Sequence, residues 1–264
     1  YILPTMKKIL LSLTLCLGVT YTYAQINSGK IGALTKGVKA FTVSDDELKA
    51  YTKEAVVWMD ENNEVATLND KDPKQKAYAE RLEKIVAPIK GYDGIDINYK
   101  VYWVSDINAF ATYDGSVRVF AGLMDLMTDD EILGVIGHEI GHVKLGHTKK
   151  AYKQALITSA LADYAGSTNG SLASLSNSQI GEIATQLTSA QFSQGQESGS
   201  DDYAYKFMVD LGKDPAALAS AFTKLGSLSG GKASTAQKLM SSHPDSAKRA
   251  KKVEEKIAKD AKKK

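Results

Sequence analysis

Polar capping residues followed by apolar positions at helical spacing predict three helices with defined ends. Ser44–Glu47 begins a first helix that we expect to reach about Asn62, and Asp72-Pro73 begins a second that ends near Pro88. A third begins at the capping box of residues 128–131 and carries apolar residues at positions 132, 133, 135, 136, 140 and 143, before Gly146 as its stop. A capping side chain, an acidic first turn and a closing glycine are sequence signals of helix ends.

Alternating apolar and polar residues predict strands ahead of the third helix. Residues 95–102 alternate along their length, and two more strands flank Asp114-Gly115, a pair typical of a hairpin turn. The remainder is predicted to be helical, except for the serine- and glycine-rich stretch Gly166–Ser178, whose composition indicates a flexible loop. The pattern predicts an α+β fold, mostly helical, with a small sheet containing antiparallel strands beside the third helix.

Three glycines form a stripe on the third helix. Gly134, Gly137 and Gly141 lie three and four positions apart, which places them on one face. Each glycine costs about 1 kcal/mol relative to alanine in a helix. Three such costs on one face predict very close packing against a neighbouring element.

The first residues have the layout of a secretory signal peptide. Met6-Lys7-Lys8 is followed by the apolar run Ile9–Val19 and the small-residue site ending at Ala24. The apolar run is too short to span a bilayer, and Leu15 before Cys16 disfavours a lipid anchor. We therefore expect cleavage near Ala24 and a periplasmic or secreted protein.

Four segments follow from this reading. Residues 1–24 are expected to be upstream residues plus the signal peptide, and residues 25–44 a flexible lead. Residues 45–255 would form one domain, and residues 256–264 a lysine-rich tail. A solvated helix end is one interpretation of the tail, and peripheral association with acidic membranes is the other.

Charge and cysteine content exclude several classes of function. The formal net charge is +2, and without Lys7 and Lys8 the charges balance, so nothing indicates nucleic-acid binding. Cys16 is the only cysteine and lies in the predicted signal peptide, so the mature chain has no disulfide and no thiol chemistry. The sequence carries no signal for an oligomeric state.

All four histidines fall within residues 138–147 or at position 243, and the first group contains H-E-x-x-H. Residues i and i+4 share a helix face, so His138 and His142 can direct two imidazole nitrogens at one zinc ion. Glu139 would lie beside the metal, where a carboxylate can accept a proton from a metal-activated water. One Zn²⁺ per chain is the expected cofactor, although other divalent ions can occupy such a site.

The third ligand is not in the same segment. Leu145 and Thr148 stand where the metzincin pattern requires glycine and histidine. His147, five positions after His142, would point to another side of a continued helix. We expect His147 to lie next to the ligands or at the surface.

Two glutamates between the motif and the tail remain as candidates, Glu182 and Glu197. Glu197 is followed at i+4 by Asp201, whereas Glu182 is followed there by Gln186. The spacing favours Glu197 as the ligand and Asp201 as the acceptor that orients a ligand histidine. A solvated Glu197 remains the alternative on spacing alone.

Several segments together resemble metallopeptidase family 48, the family of HtpX and the CAAX prenyl endopeptidases. The chain looks most like its small soluble periplasmic members. The matching segments are Asn108–Phe110, Val117–Asp125, Gly137–His142, Phe192–Glu197 with Asp201, and His243-Pro244 with Arg249. The resemblance implies a zincin-type fold, zinc bound by His138, His142 and Glu197, and Glu139 as the base.

The resemblance also implies roles around the cleft. His243 would stabilise the oxyanion, with a capping or packing histidine before a helix N-terminus as the alternative. Arg249 would hold the site together through ion pairs. An edge strand near Asn108–Tyr113 would bind an extended peptide through its backbone, with Asn108, Ala109 and Phe110 as the expected substrate-binding residues.

The function that we infer is a zinc endopeptidase acting on unfolded or damaged envelope proteins. Two alternatives remain open: a zinc-stabilised, chaperone-like binding protein with little turnover, and a zinc hydrolase of non-peptide substrates. The Gly166–Ser178 loop lies between the expected zinc ligands in sequence, so it could regulate access to the cleft, with an idle surface loop as the equal alternative. The lead segment is a second candidate for regulating access.

Overall fold

A computed structural model describes residues 44–166, 177–228 and 237–263. Within these ranges the protein is mostly helical and has one four-stranded sheet. This is the predicted α+β class. The helices are α1 Asp45–Glu61, α2 Pro73–Val86, α3 Ala121–Leu126, α4 Asp129–Lys144, α5 His147–Gly166, α6 Asn177–Thr188, α7 Gln194–Asp210, α8 Ala216–Ser227, α9 Gln237–Ser242 and α10 Ser246–Ala261. The strands are β1 Val65–Ala66, β2 Asn98–Tyr102, β3 Ala109–Ala111 and β4 Ser116–Phe120.

The helix ends follow their capping residues. Ser44 and Thr128 each form a complete capping box, with Glu47 and Glu131 returning the hydrogen bond to the cap. Asp72 caps α2, which gives way to a 3₁₀ turn at Ala87–Ile89. The three predicted helices are therefore confirmed within two residues of their expected ends.

The sheet has the order β1-β2-β4-β3. β2 and β4 are parallel, while β1 and β3 are antiparallel to their neighbours. β3 is thus an edge strand, and it packs beside α4. The predicted position of the sheet beside the third helix is confirmed.

Two details of the strands differ from the sequence prediction. The first strand begins at Asn98 rather than at residue 95, because its partner β4 begins only at Ser116 and offers no pairing before Asn98. The hairpin loop has three residues, 113–115, rather than two, since the Thr112 N–H donates to the Ser116 carbonyl. Gly115 closes this loop at a φ of 91°, in the left-handed region that favours glycine.

The sheet separates two apolar layers because successive side chains point to opposite faces. Val101, Ala109 and Val119 face the larger core, which includes residues of α2, α4, α7, α8 and α10. Tyr102, Phe110 and Phe120 face the smaller layer, formed with residues of α1 and α6. Helix α4 therefore lies between β3 on one side and α7 and α8 on the other.

The glycine stripe lies where α4 meets α7 and α8. A Cβ at Gly137 would fall 2.5 Å from the ring of Phe207, and one at Gly141 would fall 3.1 Å from the backbone of Ser200. Gly134 faces Leu218 of α8 at 3.3 Å. The predicted close packing is confirmed, and it brings the backbones of α4 and α7 within reach of a shared site.

Among the described residues, 44–155, 177–228 and 237–263 form one compact unit, which contains the sheet and the site described below. Residues 156–166, the last part of α5, lie outside this unit. The predicted signal peptide, the flexible lead and most of the Gly166–Ser178 loop lie outside the described residues. Among the described helices, none combines the length and apolar character needed to cross a bilayer.

Candidate metal centre

Helix α4 brings two histidine side chains to one point. Nε2 of His138 lies 3.0 Å from Nε2 of His142, and both side chains are buried. The i and i+4 spacing produces this convergence on one helix face. Two lone pairs at this distance repel each other unless a proton or a cation lies between them.

Helix α7 supplies a carboxylate to the same point. Its N-terminus is fixed by a capping box between Ser193 and Gln196, which places Glu197 in the first turn. Oε1 of Glu197 lies 3.3 Å from Nε2 of His142, and its Oε2 lies 3.6 Å from Nε2 of His138. The structure brings Glu197 to the two histidines; Glu182 is exposed and lies outside the cluster.

Asp201 lies one turn after Glu197, on the other side of His138. Its Oδ1 is 3.0 Å from Nδ1 of His138, so opposite nitrogens of the ring face Asp201 and the cluster. Burial raises the pKa of Asp201, although hydrogen bonds from Arg249 act in the opposite direction. This geometry matches the orienting carboxylate that the E-x-x-x-D spacing suggests.

His243 also reaches the cluster. Its Nδ1 lies 3.0 Å from Oε1 of Glu197 and 3.2 Å from Nε2 of His138, and its Nε2 lies 3.6 Å from Oε1 of Glu139. His243 stands before a helix, as one of the sequence alternatives expected, but Pro244 is not in the first turn of that helix. His243 follows the end of α9, and α10 begins after Asp245, whose φ of 61° reverses the chain.

Arg249 connects the two carboxylates of α7 to α4. Its Nε and Nη2 donate to Asp201 at 2.9 and 2.6 Å, and its Nη1 lies 2.6 Å from Oε2 of Glu197. Nη2 is also 3.1 Å from Nδ1 of His138. The guanidinium lies over the ring of Phe222, 4.1 Å from its centroid. Its charge is therefore surrounded by two carboxylates, an imidazole and an aromatic ring.

Glu139 is buried beside the cluster and not in it. Burial raises the pKa of its carboxyl to about 7, although His243 and a hydrogen bond from the Ala111 backbone act in the opposite direction. The carboxyl therefore lies between the edge strand and His243. A carboxyl with a pKa near neutrality is suited both to accept and to return a proton.

The protonation states favour metal binding. Burial lowers the pKa of His142 to about 4 and holds that of His138 well below its ordinary value. Burial alone would raise the pKa of Glu197, but hydrogen bonds from His142 and His243 outweigh it and hold that pKa far below normal. Neutral imidazoles and an ionised carboxylate are the forms that coordinate zinc.

A cleft lies between the edge strand and the cluster. It is lined by β3, by Glu139 and His243, and on the far side by Thr148, Phe192 and the end of α6. The Nδ2 atom of Asn108 and the Oγ1 atom of Thr148 are buried here without a hydrogen-bond partner. Unpaired polar groups of this kind are suited to a ligand that arrives from solution.

The predicted substrate strand is oriented by its pairing with β4. Inward hydrogen bonds join Thr112 to Ser116 and Phe120 to Asn108, so the alternation of an antiparallel strand turns the backbone of Ala109 and Ala111 outwards. The backbone of Phe110 pairs inwards, and its ring packs against Tyr102 and Phe120. The outward groups of β3 therefore belong to residues 109 and 111.

Two contacts of His142 have no clear sequence signal. The ring of Phe192 stacks on that of His142 with centroids 3.8 Å apart. His147 does not lie on a continuation of α4, because α4 ends at Lys144 and Gly146 turns the chain at a φ of 74°. Its Nδ1 instead lies 3.0 Å from Nδ1 of His142.

The cluster fits zinc in both its dimensions and its donors. His138, His142, Glu197 and His243 offer ligand atoms that all lie within 4.8 Å of one another. A tetrahedral zinc site with bonds of about 2.0–2.1 Å has ligand atoms about 3.3–3.4 Å apart. The observed separations of 3.0–3.6 Å bracket that value.

A helical H-E-x-x-H pair joined by a glutamate from a second helix defines a metallopeptidase of the zincin type. The sequence profile of peptidase family M48 matches residues 73–257, and the chain belongs to this family. Its members use zinc, so the protein is a zinc-dependent metalloendopeptidase whose substrates are polypeptides.

Curated relatives agree with this assignment. Metalloprotease LoiP of Escherichia coli (strain K12) is 40% identical over 238 residues, covering 89% of this chain and 91% of that protein. Metalloprotease YcaL of the same organism is 37% identical over 248 residues, covering 94% of each chain. Mitochondrial metalloendopeptidase OMA1 of Arabidopsis thaliana is 25% identical over 242 residues, covering 87% of this chain and 44% of that protein.

Proposed function

We propose that this zinc endopeptidase works in the periplasm and cleaves extended segments of unfolded or damaged envelope proteins. The observation that carries the proposal is the outward edge of β3 beside Glu139. The residues of β3 are buried, but their unpaired edge lines the cleft. An unpaired strand edge binds backbone rather than particular side chains, which suits chains that have lost their structure. The periplasmic location rests on the signal-peptide pattern of residues 6–24.

His138, His142 and Glu197 are proposed to hold the zinc ion. When bound, zinc lowers the pKa of a coordinated water to about 7 and polarises the scissile carbonyl. Three protein ligands and one open position are typical of catalytic zinc, whereas four protein ligands are typical of structural zinc. For this reason we assign His243 to the reaction and not to the ligand set.

Glu139 is proposed to be the general base. It accepts a proton from the attacking water and returns it to the amide nitrogen that leaves. Its position between Ala111 and His243 places it next to the strand that would hold the substrate. His243 then donates from Nε2 to the oxyanion that forms at the former carbonyl.

Asp201 and Arg249 are proposed to position the ligands. Asp201 accepts from Nδ1 of His138, which fixes the tautomer that leaves Nε2 free for zinc. Arg249 holds Asp201 and Glu197 in place by direct ion pairs. Neither residue needs to touch the substrate.

Substrate is proposed to lie along β3 as an additional antiparallel strand. The outward backbone of Ala109 and the carbonyl of Ala111 pair with it, since the Ala111 N–H already donates to Glu139. Nδ2 of Asn108 donates to one of its carbonyls. The lysines of α10 give little support for membrane association. Three of them, Lys248, Lys251 and Lys256, already lie within 4.0 Å of carboxylates of this chain.

The test is cleavage of unfolded casein by the chain without residues 1–24, with zinc content measured in each sample. Glu139→Gln should retain zinc and lose about 10²–10⁴-fold in rate. Glu197→Gln should lose zinc, whereas the matched control Glu182→Gln should keep both zinc and activity, since Glu182 is exposed on α6.

Equal cleavage by wild type and Glu139→Gln would refute the base assignment. Zinc binding without cleavage of any unfolded chain would favour a binding protein over the peptidase. If a folded protein of similar size were cleaved as fast as unfolded casein, the proposed preference for unfolded or damaged substrates would be refuted.

A further inference from the structure

His147 lies against the side of His142 that faces away from the cluster. Their Nδ1 atoms are 3.0 Å apart, and the ring centroids are 5.0 Å apart with planes at 67°. His147 is the first residue of α5, and the turn at Gly146 brings its side chain back toward α4. The contact therefore joins the start of one helix to the last turn of another.

The direction of this hydrogen bond follows from the other nitrogen of His142. Nε2 of His142 faces Nε2 of His138 and Oε1 of Glu197 at 3.0 and 3.3 Å, so Nε2 is the nitrogen whose lone pair would bind a zinc ion held there. A neutral imidazole carries its single proton on the remaining nitrogen. Nδ1 of His142 is then the donor, and Nδ1 of His147 is the acceptor.

Stacking alone does not specify which nitrogen of His142 meets the metal. The ring of Phe192 packs on the face of the imidazole, with centroids 3.8 Å apart, and a flipped imidazole would present the same kind of face to it. A hydrogen bond from Nδ1 distinguishes the two orientations. The hydroxyl of Ser200 also approaches Nδ1 of His147, at 3.4 Å, which is longer than a usual hydrogen bond.

We propose that His147 is a positioning residue for the zinc ligand His142. By accepting from Nδ1 it fixes the tautomer and ring orientation that present Nε2 to zinc. It thus does for His142 what Asp201 does for His138, whose Nδ1 lies 3.0 Å from Oδ1 of Asp201. The inference rests on the proposed function in one respect, that His142 binds the metal.

Two substitutions separate hydrogen bonding from packing. His147→Leu keeps a similar volume and removes the acceptor, whereas His147→Asn keeps an oxygen close to the position of Nδ1. Zinc affinity is measured by competition with a chelator of known affinity, and the thermal midpoint is measured on the zinc-free protein.

We expect His147→Leu to weaken zinc binding about 10- to 100-fold without changing the zinc-free midpoint. His147→Asn should retain most of the affinity, and Ser200→Ala should bind zinc like wild type. Wild-type affinity in His147→Leu would overturn the proposal, and so would an equal loss in both position-147 variants. Failure of the wild type to bind zinc would instead reject the proposed function.

A measurement on the wild type needs no substitution. Nitrogen–proton NMR correlations of the zinc-loaded protein should place the imidazole protons on Nδ1 of His142 and Nε2 of His147. A proton on Nδ1 of His147 would overturn the proposal even if the Leu variant did not fold.

Discussion

The ring of Phe207 occupies the space where a side chain at Gly137 would begin. A Cβ at position 137 would fall 2.5 Å from Cδ1 of Phe207, which is closer than non-bonded carbon atoms approach in proteins. Gly137 immediately precedes His138 on α4, and Phe207 lies on the helix that carries Glu197. The absent side chain thus allows the helix of His138 and His142 to pack closely against the helix of Glu197.

Gly137→Ala should therefore reduce stability and zinc affinity together. Overpacking of this kind costs about 1–3 kcal/mol in a well-packed core. Urea unfolding and zinc competition measure the two effects. The matched control is Gly195→Ala on α7, where a Cβ would meet only Oγ of Ser193 at 4.0 Å, so it should leave stability unchanged or raise it slightly. Equal effects at both positions would refute the packing argument.

Substitution of His243 distinguishes a catalytic group from a fourth ligand. Its Nδ1 lies 3.0 Å from Oε1 of Glu197, while its Nε2 faces Glu139. We expect His243→Gln to keep the bound zinc and to lose about 10²–10³-fold in kcat, the usual effect of removing one oxyanion donor. A loss of zinc as severe as that of His142→Gln would assign His243 to the ligand set.

Asn108 provides a test of the proposed substrate strand. Its Nδ2 is buried in the cleft without a partner, and an unpaired buried donor costs about 1–3 kcal/mol. Asn108→Ala should leave the free protein as stable as wild type or more stable. It should raise KM for unfolded substrates with little change in kcat. Loss of stability with unchanged KM would show that the amide is structural.

Asp60 neutralises the buried Arg118 behind the edge strand. Arg118 is 1% exposed and donates from Nε and Nη2 to Asp60 at 2.8 and 2.9 Å. Asp60→Asn should cost about 3–5 kcal/mol because it leaves a buried charge without its partner. The exposed pair of Lys90 and Glu83 is the control, and Glu83→Gln should cost less than about 1 kcal/mol.

The same pair predicts a response to acid. Burial would raise the pKa of Asp60, but hydrogen bonds from Arg118 and Lys100 outweigh it, so the folded pKa lies below the ordinary value. Its stabilising effect is complete above the unfolded pKa of about 3.9 and is lost as pH falls through the folded pKa. The urea midpoint of wild type should therefore fall more steeply below about pH 4 than that of Asp60→Asn.

The spacing of residues along the chain was sufficient to predict the parts of the fold that depend on neighbours in sequence. The caps at Ser44 and Thr128 fix their helix ends, and the i and i+4 spacing of His138 and His142 makes their nitrogens meet. The glycine stripe predicted a close helix contact, although not that Phe207 would form it. Each of these features is determined within about two helical turns.

Features that depend on contacts between residues distant in sequence could not be predicted from local spacing. The parallel pairing of β2 with β4 and the two-residue strand Val65–Ala66 arise from contacts across the sheet. The position of His243 depends on α9 and on the turn at Asp245, and not on the adjacent proline. His147 reaches His142 only because the chain reverses at Gly146.

The guanidinium of Arg249 ties α10 to Glu197 and Asp201 of α7 and to His138 of α4. No short stretch of this chain can therefore be an enzyme by itself. A molecule that loses its tertiary structure therefore loses its peptidase activity at the same time as it becomes susceptible to proteolysis. If the enzyme cleaves unfolded proteins as proposed, damage to one copy removes its activity and makes that copy a substrate for intact ones.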